Sequence, residues 1–480
     1  MPTDAACNKN AETLLDDSFE LAKQLPDEDP GGSDHVRYYN TLRKGYARLI
    51  GDLVVAYGQA KCWSAALQAM EAIERPNLKL EAQAHLLLEL VRQGELQAAV
   101  AFRDSLSFPD DSSGREAKEM TAFSLGKGFV LSGEIETGKQ YFLSINTRWN
   151  HLESPTNLFV RALLEADRFE DATRYLSGYR HRDVHWRNAN IQIIRHLIAD
   201  GRKAAARERI RSALSGELAS SYSPHSLAML YARLDDPSKA IDYATTVKRE
   251  SERARTLASV AQITPREAGV RQVLDAAVDA MTSCVGNDCD VTWTLIAREY
   301  ADAGFGARAV ELISEHIRKE HRRVHSLSVV AVSLARRGDI AGALEIKPSL
   351  AGYNGDRAAQ ALAIAYGKAR AFESALAAFE ATKNPHVKFT IAAALATQSL
   401  PSESIPAWLR HADDLSESNR ASIYQVMMSA LARRRESNTA RRHISGNESS
   451  LTRARSLLGL AQGELGIVTG MDWLTTLRIL

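Results

Sequence analysis

Apolar residues along this chain recur at helical spacing, and short turns of a similar design separate the helical stretches. Such a turn often holds a Gly or a polar residue, followed five residues later by a small residue that opens the next apolar run. These small residues, which we call anchors, are Ala66, Ala99, Gly138, Ala172, Ala206, Ala240, Ala309, Ala343 and Ala375, with Leu274 as a degenerate member and Ala440 as a weaker one. Successive anchors mostly lie close to 34 residues apart, which is typical of a repeat array.

The anchors predict that each repeat is a hairpin of two antiparallel helices. A small side chain lets the second helix approach the first, while the preceding Gly or Asp ends the first helix in a tight turn. An aromatic residue or a leucine lies nine residues before most anchors, as at Tyr57, Tyr231 and Tyr300. At helical spacing, such positions are expected to form the core, so the predicted fold class is all-α.

These turns and anchors make the repeat resemble the tetratricopeptide repeat. The resemblance covers residues 51–382 best, although the Trp early in the first helix and the Pro ending the second, both usual in that family, are mostly absent. It implies a right-handed α-solenoid of about 11–13 antiparallel hairpins, whose first helices face a concave groove. The pentatricopeptide repeat, an RNA reader of nearly the same length, is a neighbouring resemblance.

The chain is expected to have three regions. Residues 1–34 are expected to form an acidic N-terminal helix and a flexible linker, and residues 12–34 hold eight acidic residues against Lys23 alone. Because the linker carries Pro, Gly and Asp and little apolar surface, this region is expected to make few core contacts. Residues 35–382 are expected to form the repeat solenoid. Residues 383–480 are expected to hold degenerate C-terminal repeats, and their last segment, GELGIVTGMDWLTTLRIL, is expected to form a capping helix over the final repeat.

Composition removes several classes of function and suggests a compartment. The net charge of +1 over 480 residues gives no overall positive field for nucleic acid or anionic lipid. No apolar stretch reaches the roughly 18–20 residues that span a bilayer, and no secretory signal is visible.

The sequence holds four cysteines, which are too few and too scattered for a disulfide framework: Cys7, Cys62, Cys284 and Cys289. The last two could close a small loop. We therefore expect a cytoplasmic protein.

Catalytic and cofactor chemistry has no support in the sequence. A phosphate loop of the GxxxxGK[ST] form, a GxSxG elbow and an HExxH motif are all absent. The pairs His181–His185 and His321–His325 would each place two imidazoles on one helix face, but neither has a third ligand at a recognisable spacing. We expect neither an enzyme nor a metal or cofactor site.

One set of polar residues indicates a binding surface. Three arginines lie eleven residues before their anchors, and a shared phase in a repeat array means a shared face. Two asparagines and two histidines lie at nearby phases of the same first helices. The predicted groove residues are Arg161, Arg195, Arg298, Asn157, Asn188, His225 and His325. By the resemblance, they would line a partly cationic concave groove.

The leading hypothesis is a non-enzymatic scaffold or adaptor that binds a protein or an extended peptide with acidic segments along this groove. The second hypothesis is an RNA-binding array, in which the basic stretches 180–211 and 420–455 contact phosphates. These stretches also fit a solvated face. A third hypothesis is the regulatory subunit of an enzyme complex.

Overall fold

The structure of the chain is a computed structural model that describes most of the 480 residues. The described residues are 2–25, 46–74, 76–145, 154–178, 184–215, 222–264, 269–282, 284, 286–347, 350, 352–382, 384–397, 404–413, 415, 417–446 and 449–466. The expected linker at 26–34 and the last 14 residues of the expected capping segment lie outside them.

The described residues form 26 α-helices and no β-strand, preceded by a short 3-10 turn at Asp4–Ala6. In chain order the helices are α1 Lys9–Ala22, α2 Tyr46–Gln59, α3 Trp63–Glu71, α4 Pro76–Arg92, α5 Leu96–Asp104, α6 Ser112–Ser132, α7 Ile135–Leu143, α8 Pro155–Glu165, α9 Phe169–Ser177, α10 Val184–Ala199, α11 Lys203–Leu214, α12 Pro224–Arg233, α13 Pro237–Thr245, α14 Glu250–Ile263, α15 Val270–Asp279, α16 Asn287–Ala303, α17 Gly306–His316, α18 Glu320–Arg337, α19 Ile340–Ile346, α20 Gly352–Lys368, α21 Phe372–Ala381, α22 Pro385–Thr397, α23 Ile405–Asp413, α24 Glu417–Arg433, α25 Ser437–Ser445 and α26 Ser450–Glu464. From α2 to α25, first and second helices of successive repeats alternate. The chain is therefore an all-α solenoid, as predicted.

The turns inside the repeats share one backbone conformation. The residue five positions before each anchor has left-handed backbone, with φ between 56° and 96°. These residues are Lys61, Gly94, Gly133, Asp167, Gly201, Asp235, Gly269, Gly304, Gly338, Arg370 and Arg435. A left-handed residue ends a helix and satisfies its last carbonyl groups, and Gly adopts this conformation without a side-chain penalty. The predicted tight turns are confirmed.

The anchors lie in the contacts between paired helices. All of them are buried, including Leu274 and Ala440. At Gly138 a Cβ atom would lie 2.7 Å from the carbonyl oxygen of Gly126, so α6 and α7 approach each other too closely for a side chain there. Tyr57, Tyr231 and Tyr300 are buried as well. The predicted packing role of these positions is confirmed.

The helices group into two compact units. Unit 1 comprises Met1–Asp167 together with Phe389–Leu480, and unit 2 comprises Arg168–Lys388. In unit 2 each first helix contacts the next first helix along the chain, as for α12 with α14, α14 with α16, α16 with α18 and α18 with α20. Successive repeats of this unit therefore stack through their first helices.

In unit 1 the N-terminal helix packs against the last described helix. Helix α1 contacts α26 extensively and also contacts α2, and it buries Leu14, Leu15 and Phe19. The expectation that the N-terminal region contributes few core contacts is therefore wrong for α1. The sequence pattern does not indicate this packing, because the helix that covers the apolar face of α1 lies more than 400 residues further along the chain.

All four cysteines form disulfide bonds. Cys7 is joined to Cys62, and Cys284 to Cys289. The expectation that the cysteines form no disulfide framework is wrong for Cys7 and Cys62, because the segment before α1 lies beside the turn between α2 and α3. The small loop that Cys284 and Cys289 could close is closed by a disulfide. Cysteine usage thus gives no support for a reducing compartment.

None of the described helices combines the length and the apolar character of a segment that crosses a membrane.

Candidate partner-binding face

Polar side chains connect neighbouring first helices of unit 2. Arg322 Nη1 on α18 donates to Asp290 Oδ2 on α16 at 2.8 Å. One repeat earlier, Arg255 Nε on α14 donates to Thr292 Oγ1 on α16 at 2.9 Å. These bonds help to fix the register of successive first helices, so residues at one phase of the repeat stay on one face.

Both histidines among the predicted groove residues take part in such contacts. His225 is exposed on α12, and its Nδ1 lies 3.2 Å from Thr256 Oγ1 on α14. His325 is exposed on α18, and its Nδ1 lies 3.4 Å from Asn354 Oδ1 on α20. Each imidazole therefore bridges two repeats with one nitrogen.

Asn188 and Arg298 contact their neighbours in sequence. Asn188 Oδ1 accepts a hydrogen bond from Arg187 Nε at 3.3 Å. Arg298 Nε donates to Glu299 Oε1 at 2.9 Å, and the Glu299 side chain is only 3% exposed. Burial raises the pKa of the Glu299 carboxyl, and the hydrogen bond from Arg298 opposes this shift. Arg298 thus stabilises a buried carboxylate while part of its own side chain stays accessible.

Four arginines of unit 2 lie on one side of the first helices. Arg195 on α10 and Arg298 on α16 each precede their anchor by eleven residues, and Arg233 on α12 and Arg336 on α18 precede theirs by seven. Positions four residues apart share a helix face. Arg195, Arg233 and Arg336 are exposed, and the Arg298 side chain is 37% exposed. We call these four residues the arginine face.

The sequence analysis missed two members of this face. Arg233 and Arg336 lie one helical turn after the phase of Arg195 and Arg298, and both come just before the turn that ends their helix. The sequence signal for both is an arginine seven residues before the anchor.

The other two predicted groove residues, Asn157 and Arg161, lie on α8 in unit 1. Asn157 is buried at 3% exposure, and its Oδ1 has no hydrogen-bond partner among the described residues. A ligand could reach this side chain only if neighbouring helices moved. Arg161 is 27% exposed; its guanidinium lies 5.8 Å from the centre of the Phe123 ring and its Nε 3.9 Å from Glu165 Oε1.

Three arginines of the two basic stretches form hydrogen bonds within the protein. Arg209 Nε donates to Asn190 Oδ1 at 2.6 Å, and Arg207 Nη2 donates to the Leu234 carbonyl at 3.0 Å. In the C-terminal stretch, Arg455 is buried. These guanidinium groups hold neighbouring helices together.

The paired histidines do not assemble a metal centre in the described part of the chain. His181 lies outside the described residues, and His321 and His325 are both exposed on α18. One described group has ligand atoms close enough for a metal ion, namely Cys7, Glu12 and Cys62. Its two sulfur atoms are bonded to each other, so neither is a thiolate that could bind zinc.

A groove of about 380 Å³ lies over α3, α4 and α5 in unit 1. Its lining residues include Leu67, Met70, Gln83 and Phe102, and Glu71 is the only titratable one. This lining therefore holds no pair of titratable groups.

Comparison with known proteins matches the chain to no family model and to no curated protein. Similar solved structures include Ton1535 from Thermococcus onnurineus NA1, with 16% identity, 65% of this chain and 97% of that chain covered, and a TM-score of 0.23. The pentatricopeptide repeat protein PPR10 from maize has 14% identity, coverage of 95% and 72%, and a TM-score of 0.32. A circular tandem repeat protein with novel repeat topology has 13% identity, coverage of 98% and 91%, and a TM-score of 0.14.

At these TM-scores none of the three bears on the function of this chain. Its class follows from its own helices, turns and anchors: it is an all-α helical-repeat protein.

Proposed function

We propose that this protein is a non-enzymatic scaffold or adaptor that binds an acidic segment of another protein along the arginine face of unit 2. The observation that supports the proposal most is the repeated placement of Arg195, Arg233, Arg298 and Arg336 at one side of the first helices. Stacked repeats present extended surfaces, which suit an extended ligand that contacts several repeats at once.

Two members of the face have their guanidinium groups available. Arg233 and Arg336 are exposed and form no hydrogen bond or ion pair with any described residue. A guanidinium group binds a carboxylate through two parallel hydrogen bonds. Met229 lies on α12 one turn before Arg233 and is half-buried, so the face also offers apolar contact. An acidic segment with apolar residues between its carboxylates would match both features.

Three internal hydrogen bonds support a protein ligand in preference to RNA. RNA binding would need many free basic groups along the stretches 180–211 and 420–455. Arg207 and Arg209 in the first stretch and Arg455 in the second are committed to internal bonds.

The proposal is tested with a fluorescently labelled oligoglutamate peptide, whose binding is followed by anisotropy at low and moderate salt. We expect the double variant Arg233→Ala/Arg336→Ala to bind this peptide about threefold to tenfold more weakly than the unmodified protein, because each exposed ion pair contributes modestly. The double variant Arg174→Ala/Arg211→Ala is the matched control. It removes the same charge from the second helices α9 and α11 of the same unit, and it should bind normally.

Equal losses in the two double variants would mean that only net charge matters, and this would refute the arginine face. A single-stranded RNA probe serves as the competitor. If RNA binds more tightly than the peptide and loses orders of magnitude in affinity between low and moderate salt, the ligand is RNA and the proposal is wrong.

We also propose an oxidising compartment in place of the cytoplasm. Disulfides persist in secreted and extracellular proteins and are rare in the cytosol. All four cysteines are paired in disulfides, and this fits a secreted or extracellular protein better than a cytosolic one. Thiol alkylation of protein isolated from its native source, without reductant, tests this: four reactive thiols would contradict it.

A further inference from the structure

Helix α1 has the burial pattern of a second helix of a repeat. In the second helix α15 the buried positions are Val270, Val273, Leu274, Ala277 and, just beyond the helix, Met281. Aligning Leu15 with the anchor Leu274 places the buried residues of α1 at the same relative positions, with one further buried residue, Phe19. These residues are Ala11, Leu14, Leu15, Ser18, Phe19 and Ala22. The next residue is an aspartate in both helices, Asp16 and Asp275.

The two aspartates make the same contact with the following first helix. Tyr300 Oη on α16 donates to Asp275 Oδ1 at 2.6 Å. Tyr57 Oη on α2 donates to Asp16 Oδ1 at 2.7 Å. Both tyrosines lie nine residues before their anchors. Helix α1 therefore contacts α2 in the same way that the second helix α15 contacts α16, the first helix of the following repeat.

The first helix that pairs with α1 is α26. Ser18 Oγ donates to the Ala454 carbonyl at 2.8 Å in the buried contact between the two helices. Beside this contact, the buried Arg455 side chain donates to Asp52 Oδ2 on α2 at 2.9 Å and to Gln425 Oε1 on α24 at 3.0 Å. Arg455 thus connects α26 to the first helix before it and to the first helix that follows α1.

A repeat made from two distant segments needs a tether, and the Cys7–Cys62 disulfide supplies one. Cys7 lies just before α1, and Cys62 lies at the start of α3. Two hydrogen bonds accompany the disulfide: the Asn8 amide donates to the Ala60 carbonyl at 3.0 Å, and the Ser64 amide donates to Asp4 Oδ1 at 3.1 Å. Without the disulfide, the only covalent link from α1 to α2 is the segment of residues 23–45.

We propose that α1 is the exchangeable second helix of the repeat begun by α26, and that the Cys7–Cys62 disulfide is a redox-controlled clasp that keeps it in place. A dithiol reductant opens the clasp. The S–S bond breaks, and the two sulfur atoms take up two electrons and two protons to give the thiols of Cys7 and Cys62. The dithiol supplies these electrons and protons and is oxidised to its own disulfide. A longer tether lowers the effective concentration of α1 at α26, so α1 dissociates more often.

The test is hydrogen–deuterium exchange of the full chain, read by mass spectrometry on peptides from α1 and α26. We compare the unmodified protein with Cys7→Ser/Cys62→Ser and with the matched control Cys284→Ser/Cys289→Ser, which removes the other disulfide. Loss of the clasp should raise exchange in residues 11–22 at least about tenfold, since a disulfide that closes a long loop stabilises by well over that factor. The control variant should leave α1 unchanged.

If Cys7→Ser/Cys62→Ser does not fold, the same comparison is made on Cys284→Ser/Cys289→Ser with and without a dithiol reductant, because that variant keeps only the clasp. Equal exchange of α1 with and without the Cys7–Cys62 bond would refute the clasp. If the amides of α1 exchange as fast as those of an unfolded chain while the disulfides are intact, α1 is not a packed second helix and the proposal is refuted. Reactive thiols at Cys7 and Cys62 before any reductant is added would also overturn the proposal.

Discussion

At the residue scale, a buried anchor near the start of most second helices, usually an alanine, determines how closely the two helices of a hairpin pack. Ala206 and Ala343 are fully buried where the helices of their hairpins meet. Their spacing and the left-handed residue five positions earlier could be predicted from the sequence, because both constraints are local and repeat along the chain.

Enlarging an anchor tests this interpretation. In Ala206→Phe the larger ring forces α10 and α11 apart, and we expect the free energy of unfolding to fall by about 1–3 kcal/mol or more. Ala205→Phe is the control, because Ala205 is exposed on the same helix. Chemical denaturation of both variants measures the difference. Equal stabilities would show that Ala206 does not lie in a tight helix contact.

The His316 ring gives the protein a titratable contact at the end of α17. It stacks on the Trp293 ring with 3.8 Å between ring centres. Burial lowers the pKa of His316; Glu315 opposes the shift and Arg308 adds to it. Because the folded protein binds this proton less readily than the unfolded chain, the neutral ring contributes its full stability above the unfolded pKa of about 6.5, and the contribution is lost as pH falls below that value.

We therefore expect the melting temperature to drop between about pH 8 and about pH 5, and to drop less in His316→Gln, which cannot take up a proton. His321→Gln removes an exposed histidine on the next helix and serves as the control. A pH dependence that is the same in His316→Gln as in the unmodified protein would contradict this assignment.

Some residue-scale features could not be read from the sequence. Lys61, Arg370 and Arg435 adopt the left-handed conformation that Gly adopts in other repeats, and side chains of this kind carry no local signal for it. The Cys7–Cys62 pair was missed because it depends on where α1 packs. The two cysteines lie 55 positions apart, and nothing in the sequence between them indicates that placement.

At the scale of helices, α24 and α26 form an unusually close pair. A Cβ atom at Gly459 would overlap the carbonyl oxygen of Gln425, and one at Gly463 would overlap that of Ser429. The two backbones therefore touch where α26 carries glycines four residues apart on one face. This contact also places Arg455 between α24 and α2.

Gly459→Ala should separate these helices. We expect a loss of at least about 1–3 kcal/mol in the free energy of unfolding, because the added methyl group meets backbone that cannot move independently. Gly446→Ala is the control: Gly446 has φ −81°, and a Cβ there would have its nearest contact at 3.8 Å. If Gly459→Ala unfolds at the same denaturant concentration as the control, the close pairing of α24 and α26 is wrong.

The helix that pairs with α1 could not be predicted from the sequence. The structure has a helix in the acidic N-terminal region, α1, with Glu12 in its first turn. The sequence does not indicate which helix pairs with α1, because a helix is normally assigned to a hairpin with its neighbour in sequence, whereas α1 pairs with α26. The match between Leu15–Asp16 and Leu274–Asp275 was the available signal.

Across the whole molecule, 60 basic residues nearly balance 59 acidic ones, so the position of a charge matters more than the total. Some of the basic residues that the sequence suggested as a surface join neighbouring helices, as Arg207 and Arg209 do. The sequence could place Arg195 and Arg298 at one phase of the repeat. It could not show which arginines form internal bonds, because those bonds join residues 27 and 19 positions apart in the chain.

The central claim is that an acidic protein segment binds to the first helices of unit 2. The most direct measurement is photo-crosslinking of an oligoglutamate peptide that carries a photoreactive group, followed by mass spectrometry of the crosslinked sites. Binding at the arginine face predicts crosslinks on α12, α16 and α18 that disappear in Arg233→Glu/Arg336→Glu, in which like charges repel the peptide. Crosslinks that fall on the second helices α11, α13 and α17, or that persist after this charge reversal, would contradict the claim.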